Sequence, residues 1–258
     1  MFSYEDFDIK LDTDYIGRNF IYVEETDSTN NYLMNNSGLE NGTLLFAEFQ
    51  TNGKGRRNKS WLSNKGLNLT FSILFNNKTL LKRINLVNLA ASLSVAQSIE
   101  NLYQLNIDLK WPNDVLINNK KVAGILIESS SKGTKIDKAV VGIGINVNQP
   151  NFSGQFDIKP TSIRLESKTL VNRERLLSEL LNIFEENLFY VVDSPQKILN
   201  DWRSKCRMIG EKVKIITGNE TKTGIFDDID RDGSLILKNN EQYEKIRFGD
   251  ISLRHIPH

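Results

Sequence analysis

The chain changes texture near Cys206, and that change limits the folds open to it. Before it, apolar runs at Phe20–Val23, Leu44–Phe49, Leu67–Phe75, Ile107–Trp111, Val122–Ile127 and Ala139–Val147 read as strands. Between and after them lie longer helical patterns. One starts at Thr79 with Leu86, Leu89, Leu93, Ala96 and Ile99 on a single face. A second opens at Asn172 with Leu176, Leu177, Leu180, Leu181 and Phe184 inward. Ser194-Pro195 reads as a cap followed by Pro at the first helical position, opening a third helix through Trp202. After Met208 only short strands follow, at Lys212–Ile216, Thr223–Phe226, Leu235–Leu237 and Ile251–Arg254. The turns Thr217-Gly218-Asn219, Arg231-Asp232-Gly233 and Lys238-Asn239-Asn240 divide them. The pattern predicts an α/β domain over residues 1–206, then a small barrel or sandwich with its own core over 207–258.

Composition narrows the chemistry. A net charge of +1 over 258 residues gives no global field for nucleic acid or anionic membrane, so anion recognition must come from a local cluster. No apolar run is long enough to span a bilayer, and Met1 to Lys10 is acidic and lacks the core of a signal peptide. The single cysteine, Cys206, excludes an internal disulfide and reads as a packed small residue. The only histidines, His255 and His258, sit at the C-terminus, outside any pattern expected of a base. The expectation is a cytoplasmic enzyme that works by positioning and charge stabilisation.

Four segments carry the chemistry. In Gln50 to Trp61, a loop punctuated by Gly53 and Gly55 gathers Lys54, Arg56, Arg57 and Lys59. Glycine permits close backbone approach, and arginine offers a planar fork to phosphate or carboxylate oxygens, so the loop reads either as a solvated basic turn or as a flap over a bound anion. Trp61 reads as an anchor or as a stacking platform. In Lys110-Trp111-Pro112-Asn113-Asp114 a lysine ends a buried strand just before a forced break, so its ammonium faces a cleft. Asn113 reads as a partner for a phosphate or a base edge, and Asp114 as a metal ligand or a turn cap. Ser28-Thr29-Asn30 stands at a helix start, where hydroxyls and free amides converge on an oxygen acceptor or simply cap the helix. Gly142-Ile143-Gly144-Ile145-Asn146 fails the dinucleotide fingerprint, because Val147 stands where the third Gly belongs. It reads as a strand whose missing side chains leave room for a flat ligand, or as a bulged core strand.

In this order the four segments, with Val122-Ala123-Gly124-Ile125-Leu126-Ile127-Glu128 and Ile251-Ser252-Leu253-Arg254, resemble the biotin–protein ligase family over nearly the whole chain. The resemblance implies a mixed-sheet α/β (α+β) catalytic domain of the class II synthetase-like biotin/lipoate ligase type. A small SH3-like β-barrel would follow it. It implies activation of biotin by MgATP to biotinyl-5′-adenylate, then transfer to a lysine of a biotin carboxyl carrier protein. ATP, Mg2+ and biotin are the implied small molecules. Fewer than about thirty residues precede the first motif, so the resemblance is to the monofunctional class, without specific DNA binding. Relatives are monomers or dimers through the central sheet.

Carried over by position, Ser28, Thr29, Asn30 and Gln50 would hold biotin, with Lys54, Gly55 and Arg56 in the loop closing over it. Gly124, Gly142 and Gly144 would permit close packing on the ligand. Lys110 would bridge the biotin carboxylate and the α-phosphate, with Arg56 as a second catalytic cation. Arg57, Lys59, Trp61, Asn113, Asn146 and Arg254 would lie on the nucleotide side. The metal ligands are not assigned. Against the family's loop pattern Gly-Arg-Gly-Arg-Arg-Gly, this chain substitutes Lys54 and Asn58, and Lys59 follows where arginine is frequent, which implies a less tightly held intermediate. A lipoate–protein ligase shares the implied fold, but Lys110 to Asp114 and the Arg56-Arg57 pair favour biotin. A nucleic-acid-binding module fits poorly, because cations and anions nearly balance outside the loop.

Overall fold

Strand-forming runs separated by long amphipathic stretches assemble into a sheet that buries one face under helices. The computed structural model describes residues 2–57, 59–218, 220–248 and 251–255, without the side chains of 251, 252 and 255. Asn58 of the loop, Asn219 of the first C-terminal turn and His258 therefore lie outside the described residues. In chain order the elements are α1 (Tyr4–Asp8), β1 (Phe20–Thr26), α2 (Thr29–Asn35), β2 (Leu44–Gln50), β3 (Leu69–Phe75), α3 (Lys78–Leu81), α4 (Ile84–Tyr103), β4 (Ile107–Lys110), β5 (Asp114–Ile117), β6 (Lys120–Lys132) and β7 (Lys135–Ile145). They continue with α5 (Ile163–Ser167), α6 (Arg173–Asp193), α7 (Pro195–Ser204), β8 (Lys212–Thr217), β9 (Glu220–Ile229), β10 (Leu235–Asn239), β11 (Gln242–Ile246) and β12 (Ile251–His255).

The first seven strands form a mixed sheet in the order β1-β2-β3-β7-β6-β5-β4. Only β1 and β2 run parallel; the other pairs are antiparallel. Alternation along each strand sorts side chains to two faces. Phe71, Ile73, Ile125, Val141, Ile143 and Val115 enter the main core beneath α4, α6 and α7. The opposite face carries a small apolar cluster of Leu33, Leu45, Leu74 and Val140 under α2, and beside it the face turns polar.

Two helix starts follow the sequence closely. Asn172 caps α6 by accepting from Arg175 N, and Pro195 occupies the first turn of α7. The Ser194 hydroxyl does not cap; it donates to Asp193 instead. The helix expected from Thr79 is broken into α3 and α4. Arg83 leaves helical geometry between them, and its guanidinium donates to the Val191 and Val192 carbonyls at the end of α6. The β6–β7 hairpin runs well past the apolar segments, through Ser129 to Lys132, because backbone pairing needs no apolar side chain.

The C-terminal strands form a separate five-stranded antiparallel sheet, β11-β10-β9-β8-β12. The polar strand β11 was not among the expected segments; its residues alternate too weakly to stand out. This sheet is tied to the site's own strands: Trp111 donates its indole N–H to the Gly233 carbonyl at 3.0 Å, and Arg207 N donates to Asp108 at 3.0 Å. Cys206 is buried there, and burial pushes its thiol up to about 12. Among the described residues no helix is long and apolar enough to cross a membrane.

Candidate active site

Strand register builds the site. On the α2 face, one transverse row runs Lys110, Asp114, Gly124, Gly144, Thr70. The next row runs Leu126, Gly142, Ser72, and Glu128 faces Val140 one row further on. Three segments distant in sequence thus present a lysine, a carboxylate and two bare glycines side by side.

The floor at the α2 end is a network of neutral hydrogen-bonding groups backed by one carboxylate. Thr29 directs both its backbone N–H and its hydroxyl to Gln50 Oε1, at 2.8 and 3.0 Å. Ser72 Oγ shares its proton between Asn30 Oδ1 at 2.6 Å and Thr29 Oγ1 at 2.7 Å. Asn30 Nδ2 donates to Glu128 Oε2 at 2.8 Å. Ser28 is the N-cap of α2 but its hydroxyl makes no capping bond, and the first amide of the helix, that of Thr29, goes to Gln50. Ser28, Thr29 and Asn30 are all nearly inaccessible.

Above the floor the loop folds back as a tight hairpin. Lys54 bridges Ser60, Gly55 N donates to Lys59 O at 2.6 Å, and Trp61 N donates to Gly53 O at 2.8 Å. Gly53 must be glycine, since a Cβ would lie 2.5 Å from the Trp61 carbonyl. Arg57 takes a left-handed conformation with φ 57°. Each end of this flap is clasped: Lys54 Nζ lies 3.1 Å from Glu128 Oε1, and Lys59 pairs with Asp157. Between them Arg56 Nη1 donates to Asn113 Oδ1 at 2.9 Å.

The other end of the cleft is charged. Lys121 Nζ sits 2.5 Å from Asp114 Oδ1 and 5.8 Å above the Trp61 ring. Burial pushes the Lys110 ammonium below the usual lysine value; Asp114 opposes that, while Lys121 and Arg254 add to it. Arg254 reaches Asp157 at 3.5 Å. The hydrogen bond from Lys59 holds the Asp157 carboxyl below the ordinary carboxylate range.

Most of these groups surround one cavity of about 750 Å3. It is lined by every residue expected from the sequence: Ser28, Thr29, Asn30, Gln50, Lys54, Gly55, Arg56, Arg57, Lys59, Trp61, Lys110, Asn113, Gly124, Gly142, Gly144, Asn146 and Arg254. A second cavity of about 780 Å3 lies behind the flap, bounded by Asn52, Asn88, Asn113, Glu128 and Phe248.

Several expectations change in detail. The bare surface at Gly142 and Gly144 is filled by protein: a Cβ at the first would collide with the Asn30 carboxamide, and at the second with the Trp61 indole. These glycines seat two side chains of the site rather than opening a slot. The amide of Asn113 is engaged by Ile125 O and Arg56, and that of Asn146 by the Thr161 carbonyl, so both act here as braces. Asp114 caps no turn; it pairs with Lys121. Among the described residues no cluster of three His, Cys, Asp or Glu side chains is placed to hold a metal.

Sequence reasoning missed Lys121, Ser72, Glu128 and Asp157. The Asn118-Asn119 turn was the available signal for Lys121: folding the hairpin there returns that lysine beside Asp114. Ser72 is hidden in an apolar strand, and only the register to Gly142 reveals it.

Residues 21–146 match the family model described as "Biotin/lipoate A/B protein ligase family", and residues 208–254 match "Biotin protein ligase C terminal domain". The bifunctional ligase/repressor BirA of Bacillus subtilis is 35% identical over 251 residues, covering 94% of this chain and 76% of that protein. The biotin–[acetyl-CoA-carboxylase] ligase of Paracoccus denitrificans is 33% identical, covering 84% of this chain and 92% of its own. Among solved structures, the biotin protein ligase from Aquifex aeolicus in complex with biotin and ATP superposes with a TM-score of 0.81. It shares 33% identity and covers 93% of this chain and all of its own.

Proposed function

The chain belongs to the biotin/lipoate A/B protein ligase family as a biotin protein ligase, and from that premise we propose that its cleft makes biotinyl-5′-adenylate from biotin and ATP and passes biotin to a lysine of a biotin carboxyl carrier protein. The observation that carries the reading is the union, in one cavity, of a buried neutral donor–acceptor floor with lysines under a cationic flap. The Aquifex aeolicus relative, solved with biotin and ATP, supports both substrates.

The floor suits a ureido ring. Ser28, Thr29, Asn30 and Gln50 offer donors and acceptors at a depth where water is excluded, so an unmatched head group would leave buried polar atoms unpaired. Biotin's carboxylate then lies toward Lys110 and Lys121. In the first step a carboxylate oxygen attacks the α-phosphorus and the bond to pyrophosphate breaks. Negative charge grows on the phosphoryl oxygens, and the ammonium groups aimed into the cleft stabilise it. Lys110, whose charge is penalised by burial, gains most from an arriving anion. Lys121, lying across Gly124 and released from Asp114, is the second candidate for the bridging role.

In the second step a neutral lysine amine attacks the acyl carbon, the bond to the adenylate oxygen breaks and AMP leaves. Lys54, Arg56 and Arg57 hold the mixed anhydride, while Lys59 and Arg254 turn from Asp157 toward the phosphates. Mg2+ fits this chemistry through Asp114, since magnesium is commonly held by one or two carboxylates plus substrate phosphates. When bound it would neutralise phosphate charge.

The test is exchange of labelled pyrophosphate into ATP. Exchange should depend on added biotin and not on lipoate. Exchange independent of biotin would reject the proposal.

A further inference from the structure

β4 is the outer strand of the seven-stranded sheet, four residues long, with β5 as its strand neighbour. Lys110 is its last residue, so its ammonium stands at the border of the sheet. A border strand is restrained by a strand on one side only, and what closes the other side sets its tilt. Here the closure comes from the C-terminal part of the chain. Leu109 N donates to Lys205 O at 2.8 Å, and Arg207 N donates to Asp108 Oδ1 at 3.0 Å. Trp111, the residue after Lys110, is buried. Its indole N–H donates to Gly233 O at 3.0 Å, and its ring centre lies 5.2 Å from that of Phe248.

The carbonyl that receives the indole is itself held in place. Gly233 has φ 82°, and a Cβ there would lie 2.9 Å from Leu89 Cδ1 of α4. Asp230 Oδ1 accepts from Asp232 N at 2.9 Å and from Ser234 N at 3.2 Å. Lys245 Nζ clasps Asp230 and Asp232 at 2.5 and 2.6 Å. The β9–β10 turn is therefore a cross-bonded wedge between α4 and Trp111. The same sheet sends Arg254 to the wall of the ligand cavity. It reaches the site twice, once directly and once through Trp111.

We infer that Trp111 is a positioning residue for the adenylation step: through the Gly233 carbonyl, the C-terminal sheet sets where the Lys110 ammonium stands in the cleft. Pro112 and Asn113 are tied elsewhere, the first to Asn88 of α4 and the second to Ile125 of β6. Trp111 is the link from this turn to the second sheet. Phenylalanine would fill much of the same space but leave the Gly233 carbonyl without its donor.

The inference rests on the ligase reading with Lys110 as the reacting group, so wild type and Lys110→Ala are assayed first. Biotin-dependent pyrophosphate exchange that falls in Lys110→Ala supports that premise; without either, premise and inference fall together. A failure confined to the Trp111 variants overturns the inference alone. Trp111→Phe should lower kcat for exchange about tenfold, as a small displacement of a reacting group does. Calorimetric affinity for biotin and its KM should move by about twofold or less, because the floor is remote. Gly233→Ala, which drives the turn against Leu89, should reproduce this split with the indole intact. In the Lys110→Ala background, Trp111→Phe should change exchange by no more than about twofold, whereas general damage to the fold would lower it there as well. Exchange at the wild-type rate in Trp111→Phe, an equal loss with and without Lys110, or biotin affinity falling in step with kcat would overturn the assignment.

Discussion

The two ends of the cleft solve recognition in opposite ways. At the α2 end the floor is neutral and buried, Thr29 bonding to Gln50 and Ser72 to Asn30, with the Glu128 carboxylate bracing Asn30 from behind. At the far end three cations are held by carboxylates, Lys121 by Asp114 and Lys59 and Arg254 by Asp157, and several of these side chains are half exposed. The floor is built before a ligand arrives. The charged end must exchange its own carboxylates for the ligand's phosphates. Shape and hydrogen bonding decide at the first end, where a mismatch leaves buried groups unpaired. Charge decides at the second, where exposed pairs are weak enough to be replaced.

The largest effect that could break this contrast concerns the two lysines of the transverse row. Alanine at either Lys110 or Lys121 should remove on the order of 3 kcal/mol of transition-state stabilisation, about a hundredfold in pyrophosphate exchange. Calorimetric affinity for biotin alone should fall far less, because the floor is untouched. A Lys110 variant that exchanges normally would leave Lys121 as the reacting ammonium and Lys110 as a buried brace.

A smaller effect sharpens the other side. Gly142→Ala should push the Asn30 carboxamide out of place and weaken biotin binding by about tenfold, the worth of one buried hydrogen bond. The KM for ATP should stay near wild type. An equal loss for both substrates would show that the two ends are not separable.

Much of this was legible in the residues. The turn-rich tail after Met208 gave the second sheet, and the four motifs named residues that all line one cavity. What stayed hidden was created by pairing. Ser72 lies in a strand of apolar neighbours, and Lys121 and Glu128 gain meaning only when β6 is laid against β5 and β7. The glycines were expected to leave room for a flat ligand, but what approaches Gly142 and Gly144 is Asn30 and Trp61. Local sequence reports which residues can do chemistry. Strand register decides which of them meet.

The contrast between a finished neutral floor and an exchangeable charged end is tested most directly by salt. Pyrophosphate exchange would be measured from roughly 0.05 to roughly 0.5 M ionic strength, over which screening of exposed charges changes severalfold. The KM for ATP should climb severalfold across this range, while that for biotin moves by about twofold or less. Parallel rises in the two constants would contradict the account.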